Sequence, residues 1–432
     1  MTLPLIMILL VYLISRIINY TLDFRNLYSI NKHRGMVPKE FEGKFDEESI
    51  DNSFLYTRHK GRFSILASLY KETIKLVFIL CLLNFYNNLI LDLGFGLKAG
   101  SWLRFILTGI VYVFVLNAAS TFISLPFDYY NIFRIEKRFN FNTMTFSLWM
   151  LDLIKNLFLS AIVYAFLLSG TFLVYKLLPN FWWLPVWILY FISTIFFLYL
   201  SPYMIEPLFN KFEPIKNLDL IDRIKEMLDE AGIEVKGVYK VDASKRTRHT
   251  NAYFTGIGRV KRIVLYDNLL EQLTNEEILA VLAHEVGHCK KRHIIKNLII
   301  FELMSLVIAF IAFKITNSDA LLDLFKIEVM HSLKDYYFFT KIVLIGFIAS
   351  IAFWPLFPLF NYISRRFENQ ADDYACNLMN DGTALAKALA KLSKDNLANL
   401  YPDVIYAAFH YSHPPVLERI RYLKNWKPKD KK

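Results

Sequence analysis

Cysteine is scarce in this chain. Cys81, Cys289 and Cys376 are odd in number and show no C-x-x-C spacing, which excludes a disulfide framework and predicts reduced thiols. Charge is sparse too: Asp, Glu, Lys and Arg supply 21% of the residues, low for a soluble enzyme. No internal repeat and no low-complexity segment interrupts the chain. What remains is apolar, with 55% of 432 residues hydrophobic, including 38 Phe and 25 Tyr. A soluble chain of this length would divide into two or three domains. Here the apolar excess collects in blocks, which points to a bilayer. The net charge of +11 admits nucleic-acid binding as one reading. The basic residues, however, spread along loops on one topological side and follow no nucleic-acid-binding motif, so no nucleic-acid partner is expected.

Seven segments approach the roughly 20 residues needed to span a bilayer. They cover 3–19, 63–90, 102–125, 148–174, 181–204, 297–315 and 337–360. The first lacks a basic leader and a small-residue cleavage site, so it reads as a retained anchor. Lys71, Glu72 and Lys75 interrupt the start of the second, and Asp152 and Lys155 lie near one end of the fourth. The loops after spans one, three, five and seven hold nearly all the Lys and Arg. By the positive-inside rule those loops are cytoplasmic and the N-terminus is outside.

The longest loop, about 206–296, reads as a small α+β subdomain. A helical pattern over 218–231 stops at Gly232. Val235, Val238 and Val241 begin a strand-like stretch, and 262–266 is another. Thr274, Glu276 and Glu277 resemble a helix cap with an acidic first turn. The organisation expected is a membrane region, 1–205, with five transmembrane helices, followed by a peptidase region, 206–432, with two more.

The capped helix would carry His284-Glu285-Val286-Gly287-His288, an H-E-x-x-H motif. Positions i and i+4 share a helix face, so both imidazoles reach one ion, with Glu285 beside it as a base. The motif fixes only three positions, and a catalytic zinc site needs a third protein ligand. His293, on a continuous helix, would lie about 140° round from His288 and face away from the metal. Lys291 and Ile294 replace the Gly and His of a metzincin. Glu368, just after the last span and on the same predicted face, is the remaining candidate. Asp372, four residues on, shares its helix face and can fix an imidazole tautomer. Cys289 points about 100° away from His288 and reads as packing.

Together with these residues, several other stretches make the chain resemble the type I CAAX prenyl proteases over nearly its whole length. They include Glu136-Lys137-Arg138-Phe139-Asn140, Pro207-Leu208-Phe209-Asn210-Lys211-Phe212, Asn251-Ala252-Tyr253-Phe254-Thr255-Gly256 and Ser412-His413-Pro414-Pro415. The resemblance implies a mainly α polytopic membrane protein, with seven spans enclosing an intramembrane chamber. It implies one zinc ion held by His284, His288 and Glu368, with Glu285 as general base. It implies His413 and Arg419 beside the site, stabilising the oxyanion or holding Glu368. Asn251, Ala252, Tyr253 and Phe254 would lie along the substrate, which fits an exposed edge that pairs with an extended peptide. Family substrates are C-terminal C-a-a-X peptides with a prenylated Cys, cut in the endoplasmic reticulum membrane of eukaryotes; a bacterial homologue would sit in the inner or plasma membrane. Two alternatives stay open: a heat-shock-type membrane quality-control protease, and a non-enzymatic lipid or peptide carrier.

Overall fold

The computed structural model of the protein describes residues 2–42, 45–98, 100–255 and 261–428. Gly256 and the extreme basic tail, 429–432, lie outside the described residues. Among those residues, seven helices are long and apolar enough to cross a membrane, and they coincide in order with the seven predicted spans. The first span is α1 (Leu3–Lys32). The second joins α2 (Glu47–Val77) to α3 (Leu83–Leu91) through a π-helical stretch, Phe78–Leu82. Next come α4 (Trp102–Tyr130), α5 (Phe146–Leu177) and α6 (Trp183–Met204). Several helices run well past their apolar segments. α1 extends to Lys32, and its polar end is pinned by Arg25 to Asp403 at 2.9 Å and by Ser29 Oγ to the Tyr401 carbonyl at 2.9 Å.

After a short helix α7 (Glu206–Phe209) the chain enters the α+β part. Strand β1 (Phe212–Pro214) leads to α8 (Leu218–Glu230), which ends as predicted at Gly232, with φ of +60°. Only a residue without Cβ adopts that left-handed conformation cheaply. Strands β2 (Val238–Val241), β3 (Ala252–Thr255) and β4 (Arg262–Tyr266) complete a four-stranded sheet in the order β1-β2-β4-β3. β2 and β4 are parallel, whereas β3 runs antiparallel to β4 at the sheet edge. α9 (Asp267–Gln272) then precedes α10 (Asn275–Lys290). The predicted cap of α10 is a full capping box: the Thr274 hydroxyl accepts from the Glu277 amide, and the Glu277 carboxylate accepts from the Thr274 amide.

The two remaining spans follow. α11 (His293–Thr316) leads through α12 (Ala320–Leu324) to α13 (Tyr337–Ala352). Pro355 and Pro358 mark the break before α14 (Phe357–Met379), which leaves the apolar segment and enters the α+β part. α15 (Thr383–Asp395), α16 (Val404–His410) and α17 (Val416–Lys424) finish the chain. One hydrophobic core joins Ile224, Ile263, Leu265, Leu282, Val286 and Ile420, so the sheet, α8, α10 and α17 form one packed body.

Candidate metal centre

Two crossing helices build the site. α10 carries His284 and His288 one turn apart, and α14 carries Glu368 and Asp372 one turn apart. The crossing is close because Gly287 has no side chain there. A Cβ at that position would stand 2.9 Å from the Ala371 Cα and 3.0 Å from its carbonyl oxygen. The helix faces therefore meet backbone to backbone, and the functional side chains on either side converge.

His284, His288 and Glu368 form a group that could hold a metal ion. Their donor atoms face each other: His284 Nε2 is 3.1 Å from His288 Nε2 and 3.3 Å from Glu368 Oε2, and His288 Nε2 is 3.2 Å from Glu368 Oε1. Ligand atoms about 2.0–2.1 Å from one tetrahedral zinc ion stand about 3.3 Å apart, so the spacing fits. Two further observations agree with a cation between them. Glu368 Oε2 is buried and finds no hydrogen-bond geometry, although His284 Nε2 and His413 Nδ1 lie within 3.3 Å of it. His284 Nδ1 donates to Asp372 Oδ1 at 2.7 Å, which leaves its Nε2 lone pair for a metal.

Asp372, almost fully buried, is held by Arg419 in a two-pronged pair, Nε to Oδ2 at 2.8 Å and Nη2 to Oδ1 at 2.7 Å. Arg419 Nη1 also lies 3.8 Å from Glu368 Oε2. Its guanidinium is thus turned onto the two carboxylates of α14. His413 differs: its side chain is 64% exposed, with Nδ1 2.9 Å from Glu368 Oε2, so the rest of the ring faces open space. Glu285 is half-buried and makes no hydrogen bond among the described residues. Desolvation pushes its carboxyl above the usual range, against the pull of His284 and His288.

His293 is the residue sequence reasoning misjudged in part. It is not one of the three converging donors, but neither does it turn away from His288. α10 ends at Lys290, and Arg292 adopts a left-handed conformation, φ +56°, so α11 starts in a new direction. His293 therefore swings back, and its Nδ1 lies 3.1 Å from His288 Nδ1. A helix break at Arg292, with no Gly or Pro beside it, leaves no sequence signal.

The stretch 251–255 also needs refinement. β3 is an edge strand whose outer side pairs with no other strand among the described residues. The Ala252 side chain is buried and Phe254 packs against the core. Tyr253 and Thr255, on the other face, donate to the Glu206 carboxylate at 3.2 and 3.1 Å. The backbone edge, rather than the Ala252 and Phe254 side chains, remains available. Asn251 accepts through its carbonyl from the Tyr266 amide at 3.0 Å. By antiparallel alternation, the backbone groups of Ala252 and Phe254 then point to the free side. β3 packs against α10, the helix that carries His284 and His288.

Comparison with known proteins bears on the family and the fold. Residues 26–211 match a family model described as the CAAX prenyl protease N-terminal region with five membrane helices, and residues 214–427 match peptidase family M48. CAAX prenyl protease 1 of Saccharomyces cerevisiae is 32% identical over 416 residues, covering 90% of this chain and 88% of that protein. An uncharacterised Bacillus subtilis metalloprotease, YhfN, is 32% identical over 337 residues, covering 76% and 77%. The crystal structure of S. mikatae Ste24p superimposes with a TM-score of 0.87 at 29% identity, covering 98% of this chain and 99% of that one.

Proposed function

The chain belongs to peptidase family M48 and is a multi-pass membrane metalloprotease, and from that premise we propose that it removes the a-a-X tripeptide from C-a-a-X substrates bearing a prenylated cysteine. The observation that carries this reading is the convergence of His284, His288 and Glu368, with unbonded Glu285 one residue from His284 and an edge strand, β3, packed against the same helix.

His284 Nε2, His288 Nε2 and one Glu368 oxygen would hold one zinc ion. Zinc there supplies Lewis-acid polarisation of the scissile carbonyl and the attacking water. The substrate lies extended along β3 and exchanges hydrogen bonds with the backbone of Ala252 and Phe254, which fixes the scissile bond over the site. The Glu285 carboxylate takes the proton of the water and passes it to the leaving amine. Its raised affinity for protons suits that double task. His413, exposed above Glu368, turns its free ring edge to the developing oxyanion. Arg419 is a positioning residue, holding Asp372 and Glu368 in place for His284.

Two observations support a lipidated substrate reached from the bilayer. Most of the apolar surface of α5 and α6 is not covered by protein, although Phe172 and Val186 join a packed core. We read them as walls of a hollow chamber. Between them lies an apolar cavity of about 580 Å³, whose lining includes Ile205 and Leu208. Glu206, which holds Tyr253 and Thr255 of β3, sits between those two residues. An isoprenoid chain in that cavity would leave its peptide beside β3. From the loop charges we read the metal group as facing the cytoplasm, with a membrane region over 1–205 and a peptidase region over 206–432. Membership in a peptidase family sets aside the non-enzymatic carrier.

The test uses purified full-length protein with matched prenylated and unprenylated C-a-a-X peptides. Release of the tripeptide, at least tenfold faster from the prenylated peptide, is expected. Equal cleavage of both would point instead to a quality-control protease, and cleavage of neither would remove the reading.

A further inference from the structure

The two histidines of the metal group are held by different partners. His284 donates its Nδ1–H to a carboxylate, Asp372, at 2.7 Å. Among the described residues, no carboxylate lies at His288 Nδ1. Its neighbour there is the Nδ1 of His293, at 3.1 Å, with the rings nearly perpendicular at 78°. Two ring nitrogens at that distance share one proton, so one donates and the other accepts. The other end of His293 decides which. His293 Nε2 lies 3.1 Å from Gln370 Oε1; with that oxygen as the acceptor, the His293 proton sits on Nε2. His293 Nδ1 then presents a lone pair, His288 Nδ1 donates to it, and His288 Nε2 is left bare toward His284 and Glu368.

We propose that His293 and Gln370 form a neutral relay that fixes the metal-binding tautomer and ring orientation of His288, an assignment that rests on the metal-centre reading above. Without the relay, the His288 proton can move to Nε2, where Glu368 Oε1 at 3.2 Å would accept it and block the ligand position. The relay is well held. His293 is 2% exposed and its ring stacks on Phe367 at 4.3 Å and 8°. Phe367 and Gln370 lie on α14, the helix that also supplies Glu368. One helix thereby supplies a ligand, the partner of one histidine (Asp372) and the end of the relay to the other. The left-handed turn at Arg292 is what returns His293 to this place.

The test measures zinc affinity of the full-length protein by competition with a chromophoric chelator, with thermal unfolding as a check on folding. His293→Phe keeps a ring for the stack and removes the acceptor, and Gln370→Leu removes the end of the relay. Each should weaken zinc binding about 10–100-fold, as loss of a ligand's hydrogen-bond partner does. His293→Asn places an oxygen near the Nδ1 position, and Gln370→Glu keeps the acceptor; both should stay within about threefold of the parent. Zinc affinity at the parent level in His293→Phe, or an equal loss in His293→Asn, would overturn the relay. Should His293→Phe fail to fold, the surface pair Gln370→Leu against Gln370→Glu decides in the same way, since equal affinities there overturn it. A parent protein that binds no zinc would instead overturn the metal-centre reading.

Discussion

Gly287 on α10 and Ala371 on α14 touch backbone to backbone, and that contact sets the distance between the histidines and Glu368. A methyl group on Gly287 would meet the Ala371 Cα at 2.9 Å and the Tyr374 Cβ at 3.1 Å, neither of which can swing aside. Gly287→Ala should therefore push the helices apart. We expect a loss of about 1–3 kcal/mol in stability and at least tenfold weaker zinc binding. Thermal unfolding and chelator competition check both, and unchanged zinc affinity would show that the crossing does not set the site.

Arg419 compensates two buried carboxylates at once. Arg419→Met keeps much of the apolar stem but takes from Asp372 and Glu368 the guanidinium that faces both, leaving His284 to compensate them. Removing one partner of a buried pair costs about 3–5 kcal/mol. A large drop in unfolding temperature, partly restored by added zinc, is expected. A variant as stable as the parent would mean that solvent already reaches these carboxylates.

Burial alone would lower the proton affinity of His284, but the bond to Asp372 and the adjoining Glu368 carboxylate outweigh it and push His284 up to about 9 in the metal-free protein. Below that pH a proton occupies the site and the metal must displace it. Zinc affinity should accordingly rise with pH between 6 and about 9, by up to tenfold per unit, with proton release on binding. Calorimetry in two buffers of different ionisation enthalpy measures the release, and an affinity that is flat with pH would contradict it.

Ala252→Pro tests the strand edge. The Ala252 amide hydrogen faces the free side and already donates to Asn251 Oδ1 at 2.9 Å, so its removal leaves the pairing of β3 with β4 intact. A substrate that displaces Asn251 Oδ1 from this amide should lose that one hydrogen bond, raising KM up to about tenfold with zinc affinity unchanged. An unaltered KM would place the peptide elsewhere.

Much of this site is legible in the sequence because it is built from helix periodicity. His284 and His288, Glu368 and Asp372 are each spaced by four, and a four-residue step fixes a shared face whatever the tertiary structure. The spans are legible for a similar reason: twenty apolar residues have few places to go other than a bilayer. The relay through His293 is not legible, because it depends on a single left-handed residue, Arg292, that no composition rule marks. Nor is the burial of Ala252 or the packing of Phe254 against the core. Exposure of a strand edge and exposure of its side chains are separate facts, and only the alternation seen in the sheet separates them. Arg419 illustrates a third limit, since its bond to Asp372 joins positions 47 residues apart that no local pattern connects.

The most direct test is Glu285→Gln. The substitution keeps the size of the side chain and the three metal-binding groups and removes only the base. Purified Glu285→Gln protein should bind one zinc ion per chain as tightly as the parent and cleave a C-a-a-X peptide about 10²–10⁴-fold more slowly. Undiminished cleavage by the zinc-loaded variant would contradict the assignment of Glu285 and the metal centre built around it.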